Sequence, residues 1–246
     1  MLSKAKIKFA KSLQVKKYRK EAQSFVVEGE KSIVELLTSD FEVVWLAGST
    51  EFLDRHEHLV SKKTELIETN EKELAQLGSF QTNGTAIAVV KMKPNLAPVR
   101  SDEFCLALDD LKDPGNVGTI IRTADWYGIK SIIASEETAD FYNSKTISAT
   151  MGSFCRVQVY YTDLSSYLKQ KRQPVYGAFM EGEDVHQAHF ETNGILVIGS
   201  ESHGISEKLS PFIDHRITIS RIGRAESLNA AMATGIILDN VFRSKK

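Results

Sequence analysis

The chain has 246 residues, a formal net charge of −1, 42% hydrophobic and 26% charged residues, the balance of a water-soluble globular protein of one large or two ordinary domains. Five prolines and 15 glycines leave little room for disorder; no apolar run approaches the ~18 residues that span a membrane, and the basic N-terminus lacks the apolar stretch of a signal peptide. Two cysteines, Cys105 and Cys155, lie in strand-like segments, so free thiols, a reducing cytoplasm and no metal site are expected.

The first twenty residues hold Lys4, Lys6, Lys8, Lys11, Lys16, Lys17, Arg19 and Lys20 and no acid. Such a patch is either the footprint of phosphate binding or a solvated helix face. Residues 3–20 are expected as one helix, 25–29 as a strand and turn, 30–37 as a helix and 41–47 as a strand ended by Gly48-Ser49. Asn70 and Glu73 form a capping box for a helix over 71–77, ended by Gly78. Residues 85–91 have the β-branched character of a strand. Together, residues 1–91 read as a small α+β domain. Residues 92–101 hold two of the five prolines and form the expected linker to a second domain over 102–246.

Beyond the linker, strands and helices alternate. Strands are expected over 104–108, 131–134, 157–161, 174–179, 194–198 and 216–219, and helices over 117–127, 143–150, 164–169, 207–209 and 227–242. This order implies a parallel sheet covered on both faces, with ligands at the carboxyl ends of the strands.

Three polar blocks follow buried strands. In the first, Asp113-Pro114-Gly115-Asn116 makes a turn, Asn116 is a candidate cap for the next helix, and Gly118 permits close approach. Arg122 stands near the second turn, where its planar fork suits a phosphate. The second block puts Gly199 directly after a strand, a position that suits close passage of a ligand, followed by Glu201 and Gly204. His203 in that loop is a candidate base or a solvated side chain. The third begins a helix with Ser227, a good N-cap, and Asn229, less easily explained by capping. Gly235 inside that helix costs about 1 kcal/mol against alanine, so a close backbone contact is expected there. No Walker lysine, glycine-rich dinucleotide fingerprint, zinc spacing or nucleophile elbow is present.

In this order and spacing, the three blocks resemble the SpoU (TrmH-type) branch of the SPOUT RNA methyltransferases over roughly residues 103–243. The family pattern runs Asp-Pro-x-Asn-x-Gly with Arg-Thr-Ala, then Gly-x-Glu-x-x-Gly, then Ile-Pro-Met with Ser-Leu-Asn. Here Ser220-Arg221 replaces Pro-Met, and Ser227-Leu228-Asn229 is intact. Lys11-Ser12-Leu13 to Lys17-x-Arg19 and Phe25 to Gly29 are similar to the family's small RNA-binding domain.

The resemblance implies an α/β C-terminal domain with a trefoil knot, a rare exception among folds. It also implies S-adenosylmethionine as cofactor, a homodimer, and methyl transfer to a ribose 2′-hydroxyl of structured RNA, with ribosomal RNA favoured over transfer RNA. By position, Gly199, Ile219 and Leu228 would meet the cofactor. Asn116, Arg122, Glu201, Ser227 and Asn229 would form the catalytic set, and Lys11, Lys16, Lys17 and Arg19 would bind RNA. Removing a proton from a guanidinium at pH 7 costs roughly 7 kcal/mol, so Arg122 is expected to supply field and orientation. The alternatives are an RNA-binding protein of the same fold without catalysis and a SPOUT enzyme that modifies a base.

Overall fold

The computed structural model describes residues 2–78, 85–98 and 103–243. The end of the expected linker, residues 99–101, lies outside them. The chain forms two compact units, Met1–Pro94 with Asp140–Cys155, and Asn95–Ala139 with Arg156–Lys246. The segment Asp140–Cys155, assigned by sequence to the second domain, thus packs with the first.

The first unit contains α1 (Lys4–Ser12), α2 (Lys16–Ala22), β1 (Ser24–Glu28), α3 (Glu30–Leu37), β2 (Val43–Gly48), α4 (Thr50–His56), β3 (Glu65–Glu68), α5 (Glu71–Leu77) and β4 (Ala86–Lys91). Its sheet has the order β1-β4-β2-β3, antiparallel except for β2 with β3. Trp45, Ala47, Ile87 and Val89 supply the buried sheet face against Ala10, Leu13, Leu74 and Leu77 of the helices. The expected helix over 3–20 is broken. Arg19, 2% exposed, turns inward; its Nη1 donates to the carbonyl oxygens of Leu13 and Gln14 (2.8 Å each). Those carbonyls close the first helix at a corner before α2. Arg19 Nη2 also meets Asp140 Oδ2 at 2.6 Å. The returning segment adds Tyr142 and Phe154 around the Phe25 ring, with centroids at 4.7 and 6.2 Å.

The second unit is built on β5 (Cys105–Leu108), α6 (Pro114–Trp126) and β6 (Ser131–Ala134). The chain then forms α7 (Ser144–Thr150) in the first unit and returns as β7 (Gln158–Tyr161), α8 (Leu164–Lys169), β8 (Val175–Asp184), β9 (Ile195–Ile198), β10 (His215–Thr218) and α9 (Ala230–Arg243). Six strands in the order β10-β8-β9-β5-β6-β7 pair in parallel throughout. Strands β5 and β9 are wholly buried apolar runs, as a sheet covered on both faces requires. Burial pushes the Cys105 thiol up to about 12, which leaves it an inert core residue. Neither Cys105 nor Cys155 is in a disulfide.

Three local expectations are corrected. Asp113, not Asn116, caps α6: its carboxylate accepts from Asn116 N at 2.9 Å, with Pro114 at the first helical position. Helix α9 begins at Ala230 rather than Ser227. A Cβ at Gly235 would meet nothing within 4 Å, so no backbone crowds that position. Among the described residues, no helix is long and apolar enough to cross a membrane, and no cluster of three or more His, Cys, Asp or Glu could hold a metal ion.

Candidate functional site

The loops after β5, β9 and β10 meet at the carboxyl ends of the parallel strands. Asp109 and Asp110 end β5. Asp110 has φ 59°, a left-handed conformation that costs a non-glycine residue ~1–3 kcal/mol and gathers at functional sites. Asp109 is buried, and its Oδ2 accepts from Ser206 N at 2.7 Å. It thereby pins the far end of the loop that follows β9.

That loop closes on itself. Ser200 N donates to Gly204 O (3.0 Å) and Gly204 N to Ser200 O (2.8 Å). A Cβ on Gly199 would lie 2.1 Å from the Gly204 carbonyl carbon. The close passage inferred at Gly199 is therefore made by the chain's own Gly204-Ile205 backbone. Within the loop, Ser200 Oγ lies 2.9 Å from Ser202 Oγ, which lies 2.8 Å from His203 Nδ1.

Asn116, Glu201 and Asn229 come from three separate blocks and form one hydrogen-bonded chain. Asn229 Oδ1 caps α9, accepting from Ala231 N (3.0 Å) and Met232 N (3.2 Å). That fixes its amide, so Nδ2 donates to Asn116 Oδ1 at 2.8 Å. Asn116 Nδ2 must then donate, and it does so to Glu201 Oε1. The polarity runs one way, from helix cap to carboxylate. Asn229, unexplained by capping in the sequence, is the cap; Ser227 is an exposed side chain on the loop before it.

A cavity of about 730 Å³ opens beside this chain, within the range of small-molecule sites. Gly199, Glu201, His203, Ile219, Ser227 and Leu228 line it. So do Arg221, named above only as a departure from the family pattern, and Phe179, Met180, Glu181 and Arg216, which no motif singled out. Their wall is a bulge: pairing of β8 with β10 jumps from Gly177 opposite Arg216 to Glu183 opposite Ile217, leaving residues 178–182 out of register. Bulges re-aim side chains beside active sites. The expected strand stopped at Phe179; the one cue beyond it is Gly182, since a glycine inside a strand marks a bulge or a close backbone approach, and a Cβ there would meet the Arg216 carbonyl oxygen at 2.4 Å. Arg216 stacks over the Phe179 ring, 3.8 Å from its centroid.

The Ser220-Arg221 departure gives the last loop its own anchors. Ser220 Oγ donates to Asp184 Oδ2 and Arg221 Nη1 to Ala225 O (3.3 Å). The Ser220 hydroxyl first, and the His186 amide second, hold the Asp184 carboxyl below the ordinary aspartate value.

Several predicted residues stand elsewhere or differently. Arg122 is exposed on α6 and is not among the residues lining the cavity; among the described residues no hydrogen bond or ion pair engages it. Six residues along a helix place it about 120° round from Asn116. Asn116 and Asn229 stand behind Glu201 rather than in the wall. Lys11, Lys16 and Lys17 are exposed on α1 and α2. Arg19 is withdrawn as an RNA contact, because its guanidinium is spent on Asp140 and two carbonyls.

Residues 103–239 match the model of the SpoU rRNA Methylase family, and residues 4–88 match an MRM3-like substrate binding domain. A 23S rRNA (guanosine(2553)-2′-O)-methyltransferase, RlmP of Bacillus subtilis, is 31% identical over 95% of this chain and 94% of its own. The SpoU methyltransferase AviRb from Streptomyces viridochromogenes, solved with the cofactor AdoMet, superposes with a TM-score of 0.88 at 25% identity, covering 99% of this chain and 98% of that one. An AdoMet-bound rRNA methyltransferase from Sinorhizobium meliloti gives a TM-score of 0.88 at 28% identity, covering 99% and 96%.

Proposed function

The chain belongs to the SpoU rRNA methylase family, and on that premise we propose that it transfers a methyl group from S-adenosylmethionine to a ribose 2′-hydroxyl of ribosomal RNA. The observation that carries this reading is the chain Asn229–Asn116–Glu201, which presents a carboxylate to a cavity of cofactor size.

The cavity suits the cofactor chemically. Phe179, Ile219 and Leu228 offer apolar surface to an adenine, Glu181 and Glu201 offer negative charge to a sulfonium and an ammonium, and Arg216 and Arg221 offer cations to a carboxylate. When bound, the cofactor supplies an electrophilic methyl group on sulfur. The protein's task is to align the hydroxyl and handle its proton. Asn116 Nδ2 donates to Glu201 Oε1 and orients the carboxylate, which would accept the ribose hydroxyl's hydrogen bond. Ser227 shapes the entrance. Arg122 engages the target phosphate through its fork.

The position of Arg122 points to a homodimer. Trp126, four residues on and on the same stripe of α6, is 84% exposed, and Met232 on the adjoining α9 is 60% exposed. A second copy covering these side chains would bring each Arg122 to a two-fold interface. The methyltransferase domain would carry the trefoil knot that the resemblance implies. Residues 1–91 would hold the RNA through Lys11, Lys16 and Lys17, linked by 92–101 to the methyltransferase domain over 102–246. This reading places the protein in the cytoplasm with its substrate.

The test uses ribosomal RNA from a strain lacking the protein, incubated with methyl-labelled cofactor. Label enters the RNA with the wild-type chain and is lost with Glu201→Ala and Arg122→Ala. Binding of the cofactor and RNA without any transfer would favour the binding protein over the enzyme.

A further inference from the structure

Three large apolar side chains at the α1–α2 corner face water: Phe9, Val15 and Tyr18 are 39%, 51% and 44% exposed. They stand among exposed Lys8, Lys11, Lys16, Lys17 and Lys20. A merely solvated helix face would carry the cations without the rings. Among the described residues no carboxylate pairs with Lys8, Lys11, Lys16 or Lys20, and Lys17 reaches Glu21 only at 3.9 Å. Lys17 Nζ lies 5.9 Å from the Tyr18 ring centroid. Arg19 holds the corner from inside through the carbonyls of Leu13 and Gln14, so the turn bearing Val15 to Tyr18 is ordered before any partner arrives.

We propose that this corner is a stacking platform for unpaired RNA. Tyr18, with Phe9 on the preceding helix, stacks against bases splayed out of a loop or single strand. Lys8, Lys11, Lys16 and Lys20 hold the flanking phosphates. Unpaired charge selects a polyanion, and the exposed rings select one whose base faces are free. A duplex keeps its base faces stacked internally and offers only phosphate, sugar and groove. The proposal rests on the reading of this protein as an RNA-modifying enzyme and names the form of RNA that its first unit takes.

The full-length protein is titrated, across a salt series, with a short mixed-sequence oligoribonucleotide lacking self-complementarity and with the same strand in a duplex. Tyr18→Leu keeps charge and apolar character but removes the flat ring. Its affinity for the unpaired strand is expected to fall about 5- to 150-fold. Salt dependence, duplex binding, thermal midpoint and cofactor affinity stay as in the wild type. Tyr18→Phe restores the affinity, and Phe9→Leu weakens it in the same selective way. Lys16→Ala instead lowers the salt slope by about 0.7. Wild-type binding by both leucine variants overturns the proposal, as does an equal loss on duplex. If Lys16→Ala lowers the slope while Tyr18→Leu does nothing, the RNA reading stands and the platform alone falls. A wild-type chain that binds neither form of RNA overturns both.

Discussion

Replacing Asn229 by aspartate separates the two jobs that its side chain performs. One oxygen still caps α9 by accepting from Ala231 N and Met232 N. The new negative charge at a helix N-terminus adds about 0.3–1 kcal/mol, so the thermal midpoint holds or rises. The other oxygen now faces Asn116 Oδ1, where a donor stood at 2.8 Å. To meet it, Asn116 must flip its amide, which turns its own oxygen toward Glu201. Glu201 loses a hydrogen bond to a charged acceptor, about 1.5–3 kcal/mol in general. Glu201 is exposed and Asn116 half-buried, so solvent screening places the effect at the low end, about tenfold in turnover. Asn229→Ala removes both jobs and also costs about 1 kcal/mol of stability through the lost cap. Thermal unfolding and single-turnover methyl transfer measure the two jobs independently. An Asn229→Asp protein of normal stability and wild-type turnover would refute the one-way chain.

Arg19→Ala strands the Asp140 carboxylate in a largely buried site and frees two carbonyls, and is expected to destabilise the first unit by about 3–5 kcal/mol, read from urea unfolding; a loss under 1 kcal/mol would contradict the structural role. Gly199→Ala sets a Cβ 2.1 Å from Gly204, so the loop must open and cofactor affinity should collapse in calorimetry, whereas unchanged affinity would show that the crossing does not shape the cavity. The lowered Asp184 carboxyl contributes stability that is present at neutral pH and lost as pH falls below the ordinary aspartate range through its folded value. Ser220→Ala should raise that carboxyl toward its ordinary value in an NMR titration, and an unmoved titration would mean that the Ser220 hydroxyl does not govern it.

The alternating strands and helices of the second unit were legible because buried parallel strands are short apolar runs and their loops carry the turn residues. The polar blocks were legible for the same reason, since Asn116, Glu201 and Asn229 had no use in a core. What escaped the sequence depended on partners far along the chain. Arg19 read as one more cation until Asp140 supplied a buried partner. Starting the helix at Ser227 put Asn229 inside the first turn, although serine and asparagine cap equally well as residue types; the contact of Asn229 with Asn116 accompanies the choice. The wall at Phe179 to Glu181 arises from a register jump against β10, and local pattern does not encode register with a strand that pairs from thirty-odd residues away.

On this reading the methyl group lands on a ribose oxygen rather than on a base. The direct measurement is alkaline hydrolysis of RNA labelled by the wild-type protein. A 2′-O-methyl group blocks cleavage at its own phosphodiester, so label is expected in an alkali-resistant dinucleotide at one position, absent with Glu201→Ala. Label recovered in a mononucleotide, on the base, would contradict it.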